Sequence, residues 1–223
     1  MIEAVIFDFN GVLLQDRKWH EKAWNELSKF LRDKELDQDE FEHYVHGRTP
    51  KDTLAYLLGH PASPKELKDY LDNKESLYQK IALSSGDEFQ LTPYAKELFK
   101  LLDEHDIRKT IATSSPLVNV KFYYQHLDLG RWFPFQDIVF DDGTFPGKPA
   151  PDIYVKAAKN IHVDIKNCVV IEDAKSGIES AKKAGAGKII FIMNDDNQET
   201  AKKLNIDKVI RSFNEIKLED FGE

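Results

Sequence analysis

Five residues that can take part in phosphoryl transfer follow short apolar runs in this chain of 223 residues. They are Asp8, Thr113, Lys148, Glu172 and Asp173. A carboxylate can attack phosphorus and divide one difficult displacement into two easier steps. Additional carboxylates are ligands that Mg²⁺ prefers, while a hydroxyl and an ammonium can bind phosphoryl oxygens. The pattern predicts a magnesium-dependent phosphoryl-transfer site, with Asp8 as the nucleophile and Gly11 letting the backbone approach the phosphate.

Each of these residues also has an ordinary structural explanation when it is considered alone. Asp8 could cap a turn, Thr113 or Ser115 could cap a helix, and Lys148 could be a solvated surface charge. The pair Glu172 and Asp173 could cap the helix that follows. Because the residues occur in order at four predicted strand ends, a common site explains them better than separate coincidences.

The apolar runs themselves predict the scaffold that positions these residues. Six candidate strands are Ala4–Phe7, Thr110–Ala112, Ile138–Phe140, Val169–Ile171, Ile189–Ile192 and Val209–Ile210. Their continuous hydrophobicity indicates a parallel sheet covered by helices on both faces. We therefore expect an α/β fold, a doubly wound parallel sheet with a Rossmann-like core, whose ligands bind beyond the carboxyl ends of the strands.

Several helix ends can be recognised from their capping residues. Ser63, Thr92 and Ser115 each precede a proline, which predicts an N-cap with proline at the first helical position. Ser63 with Glu66 also fits a capping box, and Gly185 is typical of a C-terminal cap.

Only helical patterns occur between residues 16 and 83. Aromatic and apolar residues recur there at helical spacing, among them Trp19, Trp24, Leu27 and Phe30. This pattern predicts a helical cap domain over 16–83, inserted into a core domain made of 1–15 and 84–223.

The composition limits the possible partners and compartment. A net charge of −8 argues against nucleic acid and anionic membranes as partners, because both require clustered lysines and arginines. No signal peptide is recognisable, and no apolar stretch approaches the ~20 residues of a membrane span. The single cysteine, Cys168, lies in a predicted strand. We expect a cytoplasmic monomer that binds a small phosphorylated substrate.

Four ordered segments of the chain resemble the motifs of the haloacid dehalogenase superfamily. They are Phe7–Leu13, Thr113–Ser115, Gly147–Pro149 and Ile171–Gly177. Within that family the chain is most similar to β-phosphoglucomutase and sugar-phosphate phosphatases. The resemblance implies a helical cap of the first type and catalytic roles for Asp8, Asn10, Thr113 and Lys148. It also implies Mg²⁺ bound by Asp8, the backbone carbonyl of Asn10 and Asp173, with Glu172 in support. The residues assigned to substrate binding are Gly11, His20, Gly47, Arg48, Lys51, Ser114 and Ser115.

Asn10 departs from the family pattern, which has a second aspartate here as general acid and base. An amide can neither protonate a leaving alkoxide nor deprotonate water, and that help is typically worth ~10²–10⁴ in rate. We therefore expect slow turnover of ordinary sugar phosphates. Three interpretations stay open: a natural variant whose proton transfer is handled elsewhere, with His20 as one candidate; a substitution made to trap a complex; or a protein that binds phosphorylated ligands with little catalysis.

Other members of the family and its chemical analogues remain as alternatives. The mutase has a phosphate-binding arginine where this chain has Pro50, which weakens the mutase assignment relative to the phosphatase one. A phosphonatase would use a cap lysine as a Schiff base, and Lys51 lies near that region but at a different spacing. A true haloacid dehalogenase would leave Glu172 and Asp173 unexplained, and a receiver domain is far shorter.

Overall fold

The computed structural model of the chain describes residues 2–46, 48–194, 197–204 and 206–222. Two compact units divide the chain. The core unit consists of Met1–Gln15 and Gln90–Glu223, and the helical unit is Asp16–Phe89. The sequence-based limits of 16–83 for a cap domain stay a prediction. The unit seen here ends six residues later, after a 3-10 turn at Gly86–Glu88.

A six-stranded parallel sheet forms the centre of the core unit, as predicted. The strands are β1 Ala4–Phe7, β2 Arg108–Pro116, β3 Val139–Asp141, β4 Cys168–Glu172, β5 Lys188–Ile192 and β6 Lys208–Ile210. Their order in the sheet is β3-β2-β1-β4-β5-β6. The order reverses at β1, so the carboxyl ends of β1, β2 and β4 meet where a doubly wound sheet binds its ligands.

Strand β1 is buried on both faces, which explains its uninterrupted apolar sequence. Phe7 makes edge-to-face contacts with Phe99, Phe133 and Phe213 at centroid distances of 5.4–6.2 Å. Ile6 belongs to a separate buried cluster that includes Tyr154. Both faces thus anchor β1, and the residue that follows it is held in a fixed position.

The helices of the core unit alternate with its strands, because parallel neighbouring strands need a crossover connection that is usually a helix. They are α5 Ala95–Glu104, α6 Leu117–His126, α7 Asp152–Asn160, α8 Lys175–Ala184 and α9 Gln198–Lys203. Gly185 ends α8 in the left-handed conformation, as predicted.

Two of the predicted N-caps are wrong. Helix α5 begins at Ala95, and the Thr92 hydroxyl instead donates to the backbone carbonyl of Val12 at 2.7 Å. Strand β2 continues to Pro116, so Ser115 is a strand residue.

The helical unit contains four α-helices and a π-helical segment at Phe41–Val45 in its described part. The α-helices are α1 Arg17–Arg32, α2 Gln38–Glu40, α3 Pro50–Leu58 and α4 Pro64–Ser84. Trp24, Leu27 and Leu54 are buried in its core, and the capping box of Ser63 and Glu66 is present. Phe30 is 73% exposed, so its assignment to the apolar stripe is wrong. Among the described residues, no helix combines the length and the hydrophobicity that crossing a bilayer requires.

Candidate active site

Asp8 and Lys148 form an ion pair at the carboxyl end of β1. The ammonium of Lys148 donates to Asp8 Oδ1 at 2.6 Å, to Glu172 Oε1 at 2.7 Å and to the Ala112 carbonyl at 3.3 Å. Only 7% of the Lys148 side chain and 10% of the Asp8 side chain are exposed. The amide of Asp8 donates to the Ile171 carbonyl at 3.0 Å, which continues the β1–β4 ladder by one residue. The nucleophile candidate is therefore fixed in both backbone and side chain.

Three carboxylates converge at this strand edge. One oxygen each of Asp8, Glu172 and Asp173 lies within 4.8 Å of the others. With Lys148 as the paired cation, the cluster carries two uncompensated negative charges when all three carboxylates are ionised. The pKa of Asp8 is raised from 3.8 to about 7, because burial and the nearby charge of Glu172 together outweigh the opposing effect of Lys148. An all-oxygen donor set with this excess charge fits a divalent cation such as Mg²⁺.

Glu172 is fully engaged by donors of the core unit. Its Oε1 accepts from Lys148 and, at 2.5 Å, from the Tyr154 hydroxyl, while Oε2 accepts the amides of Asp173 and Ala174. Burial and then the charges of Glu172 and Asp8 raise the pKa of Tyr154. Burial disfavours the charged form of Lys148, but the charges of Asp8 and Glu172 outweigh burial and raise its pKa. Glu172 thus acts as the anchor that holds Lys148 beside Asp8.

Two glycines make room for the acidic side chains. Gly11 has a φ of +82°, and a Cβ added there would lie 2.1 Å from Asp173 Oδ2. A Cβ at Gly177 in α8 would lie 1.7 Å from Glu172 Oε1. No side chain fits at either position while the carboxylates stay in place.

Asn10 is held by three hydroxyl groups. Its Oδ1 accepts from Ser115 at 2.7 Å and from Thr113 at 3.3 Å, and its Nδ2 donates to the Tyr123 hydroxyl at 3.1 Å. Tyr123 stacks on Phe9 at a centroid distance of 4.4 Å and is buried. These contacts fix the orientation of the amide.

Asn197 connects the loop after β5 with the acidic cluster. Its side-chain amide donates to the carbonyls of Asp173 and Ile192 at 3.0 and 3.1 Å. The backbone of Asp173 is thereby tied to the neighbouring strand.

A family model for haloacid dehalogenase-like hydrolases matches residues 2–185 of the chain. The chain belongs to the haloacid dehalogenase-like hydrolases. The resemblance seen in the sequence motifs and the prediction of a hydrolase are both confirmed.

Several members of this family are similar over most of their length. A crystal structure of a haloacid dehalogenase hydrolase, family IA, variant 3, from Entamoeba histolytica is 40% identical, with a TM-score of 0.92 over 99% of this chain and 97% of that one. The phosphorylated carbohydrates phosphatase of Thermotoga maritima is 28% identical over 88% of each chain. The β-phosphoglucomutase of Bacillus subtilis is 30% identical over 82% of this chain and 80% of its own. The sequence predicted that this haloacid dehalogenase-like hydrolase acts on phosphate esters, and the names of these two relatives agree with that prediction.

The core unit of this haloacid dehalogenase-like hydrolase brings most of the sequence-predicted site residues together. They are Asp8, Asn10, Gly11, Thr113, Ser115, Lys148, Glu172 and Asp173. The Thr113 hydroxyl donates to Asn10, whereas the sequence suggested donation to a phosphoryl oxygen. Ser114 is exposed.

The other predicted substrate-binding residues belong to the helical unit. His20 stacks on Tyr78 at 3.9 Å and lies 2.8 Å from the ammonium of Lys74. Arg48 is exposed and donates to the His43 carbonyl, and Lys51 is exposed on α3. Gly47 lies outside the described residues.

Four residues that contact the site were not singled out from the sequence: Tyr123, Tyr154, Gly177 and Asn197. Tyr123 and Tyr154 occur in helical patterns where an aromatic residue ordinarily indicates packing, so no sequence signal set them apart. Asn197 follows β5, and a search for polar residues after every strand would have included it. Gly177 was quoted within the fourth motif, but its contact with Glu172 depends on the tertiary structure.

Proposed function

We propose that this chain is a Mg²⁺-dependent hydrolase of small phosphorylated metabolites, of the sugar-phosphate class, with Asp8 as the nucleophile. The observation that carries the proposal is the buried ion pair of Asp8 and Lys148 inside a cluster of three carboxylates. The names of the two relatives, a phosphatase of phosphorylated carbohydrates and a β-phosphoglucomutase, support a phosphorylated sugar as substrate.

Asp8 would attack phosphorus and form an aspartyl-phosphate while the leaving oxygen departs. Lys148 keeps the Asp8 carboxylate oriented and places a positive charge beside the phosphoryl group. The backbone at Gly11, which carries no side chain, allows close approach of the phosphate. Water then cleaves the aspartyl-phosphate, and Asp8 regains its carboxylate.

The metal would be held by Asp8, Asp173 and the backbone carbonyl of Asn10, with Glu172 in support. A divalent cation at these oxygens supplies positive charge that stabilises the developing negative charge on the phosphoryl oxygens. Asn197 and Gly11 support this arrangement from the protein side, because they fix the Asp173 backbone and leave space for its carboxylate.

Substrate selection by His20, Gly47, Arg48 and Lys51 stays a proposal based on the family resemblance, as does binding through Ser114. A phosphonatase-like activity would require an imine at Lys51. Borohydride trapping with phosphonoacetaldehyde tests it, since the absence of an adduct at Lys51 removes this alternative.

A second candidate function is phosphate-ligand binding with little turnover, and Asn10 is the observation that favours it. Its amide cannot exchange a proton with the substrate. In this case the chain would bind the phosphorylated ligand and the metal but hydrolyse the ligand very slowly.

Hydrolysis of an aryl phosphate separates the two candidates, because its leaving group needs little protonation. We expect Mg²⁺-dependent release of nitrophenol from p-nitrophenyl phosphate by the wild type, and loss of that activity with EDTA and in Asp8→Ala. The exposed Asp69 on α4 provides a matched control, and Asp69→Ala should retain full activity. Equal rates in the wild type and Asp8→Ala would refute the proposed nucleophile. No turnover by either, with phosphate binding retained, would favour the binding protein.

A further inference from the structure

Four protic side chains around Asp8 in the described part of the core unit already donate to protein acceptors: Lys148, Tyr154, Thr113 and Ser115. The three donor positions of the Lys148 ammonium are directed at Asp8, Glu172 and the Ala112 carbonyl. The Tyr154 hydroxyl donates to Glu172 at 2.5 Å from a fully buried position. A proton taken from either group would leave a buried carboxylate without its donor, which is costly.

The hydroxyls near residue 10 are engaged in the same way. Thr113 and Ser115 each have one proton, and both donate to the Oδ1 atom of Asn10. The Nδ2 atom of Asn10 donates to Tyr123, and an amide is not an acid at ordinary pH. In the described part of the core unit, the protons of Lys148, Tyr154, Thr113 and Ser115 are therefore already committed to protein acceptors, and the side chain at position 10 supplies no acid to a departing oxygen.

The basicity of the leaving oxygen then decides which phosphate compounds react quickly. An alkoxide leaves as the conjugate base of an alcohol, which is about as weak an acid as water, and it therefore needs a proton. A carboxylate leaves as the conjugate base of an acid with a pKa of about 4 and needs no proton. A site without a general acid forfeits ~10²–10⁴ in rate with the first kind of leaving group and little with the second.

We propose that the preferred substrates of this site are small acyl phosphates, whose phosphoryl group is carried by a carboxylate oxygen. The inference rests on the proposed function, with Asp8 as the nucleophile, and among small phosphorylated metabolites it ranks acyl phosphates above sugar phosphates as substrates. Ordinary sugar phosphates, which release alkoxides, are slow substrates at the same site.

The bonds and protons of both chemical steps can be accounted for without a proton donor from the protein. In the first step a bond forms between Asp8 Oδ and phosphorus, the bond from phosphorus to the acyl oxygen breaks, and the electron pair leaves with the carboxylate. One acyl phosphate replaces another, so the transfer is nearly isoenergetic. In the second step a water oxygen bonds to phosphorus and the bond to Asp8 breaks. The water proton passes to a phosphoryl oxygen, which yields inorganic phosphate and the free carboxylate of Asp8.

A leaving-group series tests the proposal. The specificity constant kcat/KM is measured in the presence of Mg²⁺ for acetyl phosphate, a set of substituted phenyl phosphates and glycerol phosphate. The rate of spontaneous hydrolysis is subtracted for each substrate. In the wild type we expect a steep fall as the leaving group becomes more basic, with glycerol phosphate at least ~10²-fold below acetyl phosphate. In Asn10→Asp we expect a gain of ~10²–10⁴ with glycerol phosphate and less than ~10-fold with acetyl phosphate.

The outcomes distinguish the acyl-phosphate inference from the proposed function on which it rests. A shallow dependence in the wild type, or an equal gain for all substrates in Asn10→Asp, would overturn the acyl-phosphate inference while leaving Asp8 as nucleophile. Hydrolysis of acetyl phosphate that survives in Asp8→Ala would overturn the proposed function itself. If Asn10→Asp does not fold, as judged by circular dichroism, the leaving-group dependence of the wild type decides the question alone.

Discussion

The α-carbon of Gly177 faces the carboxylate of Glu172 so closely that a methyl group built on it would lie 1.7 Å from Glu172 Oε1. Glu172 in turn accepts from Lys148, Tyr154 and two backbone amides. A glycine in the first turn of α8 therefore determines where the catalytic lysine candidate is held.

Gly177→Ala should lower both stability and activity, although alanine is the better helix former. A glycine-to-alanine change inside a helix ordinarily stabilises by roughly 0.5–1 kcal/mol. Here the overpacking against Glu172 should lower the free energy of unfolding by about 1–3 kcal/mol, and kcat/KM for aryl phosphate by more than ~10-fold. Urea unfolding and steady-state kinetics check both, with the exposed Lys182→Ala in the same helix as control. A more stable and fully active variant would contradict the proposed contact.

Removal of the ammonium in Lys148→Met should destabilise the metal-free protein strongly. The buried carboxylates of Asp8 and Glu172 would lose their common partner, and breaking such a pair typically costs about 3–5 kcal/mol. The double variant Lys148→Met with Glu172→Gln should recover part of that loss, because one of the charges is gone. Unfolding free energies in EDTA measure these changes, and Lys96→Met on the exposed side of α5 serves as control. Equal stability of all forms would show that the ion pair contributes nothing.

Addition of Mg²⁺ should raise the melting temperature in a saturable manner. A ligand that binds only the folded state stabilises it by RT ln(1 + [L]/Kd), which is about 1.4 kcal/mol at ten times Kd. Asp173→Asn should weaken this response, because it removes one of the three clustered carboxylates. The shift is measured by calorimetry against Mg²⁺ concentration, with NaCl at matched ionic strength. An identical titration curve in Asp173→Asn would exclude that side chain as a ligand.

Asp220 should stabilise the fold above about pH 4 and lose this effect in acid. Burial opposes its ionisation, but hydrogen bonds from Lys188 and Lys208 and from the Lys217 amide lower its pKa from 3.8 to about 2. A folded pKa below the unfolded one gives stability that is fully present above the unfolded pKa and disappears as pH falls through the folded pKa. With allowance for solvent screening, the effect is about 1–2 kcal/mol, and roughly half should be lost by pH 3.

The difference in unfolding free energy between the wild type and Asp220→Asn measures this contribution at each pH. It should be constant from pH 7 to 5 and shrink below pH 4. Glu219→Gln, at an exposed position of the same turn, should show no such dependence. A difference that grows as pH falls would have the wrong sign for a depressed carboxyl pKa.

The sheet could be predicted from sequence because its strands are buried on both faces and therefore read as uninterrupted apolar runs. Asp8, Glu172 and Asp173 could be placed together because they lie at the carboxyl ends of strands β1 and β4, which are adjacent in the sheet. The prediction for Ser115 was wrong, because its position before a proline indicated a helix N-cap. Strand β2 instead continues to Pro116 with a shift in its register against β3 between Ala112 and Pro116, and in this segment the Ser115 hydroxyl donates to Asn10.

The contacts that hold Asn10 and Glu172 could not be predicted, since they join residues far apart in the chain. Tyr123 reaches Asn10 across 113 positions, and Tyr154 reaches Glu172 from a different helix. Both tyrosines look like ordinary core aromatics, and only the three-dimensional arrangement shows that their hydroxyls meet polar partners. Phe30 is the converse case, an aromatic at helical spacing whose side chain is largely exposed and touches the ring of Tyr70.

The central place of β1 in the sheet has a consequence for the order of events during translation. Ala4 pairs with Arg108 on one side and with Cys168, 164 positions later, on the other. At a synthesis rate of about 5–20 residues per second, the nascent chain carries Asp8 for roughly 10–30 s before its second neighbouring strand has been made. The helical unit is complete long before then, so its synthesis ends before that of the core unit.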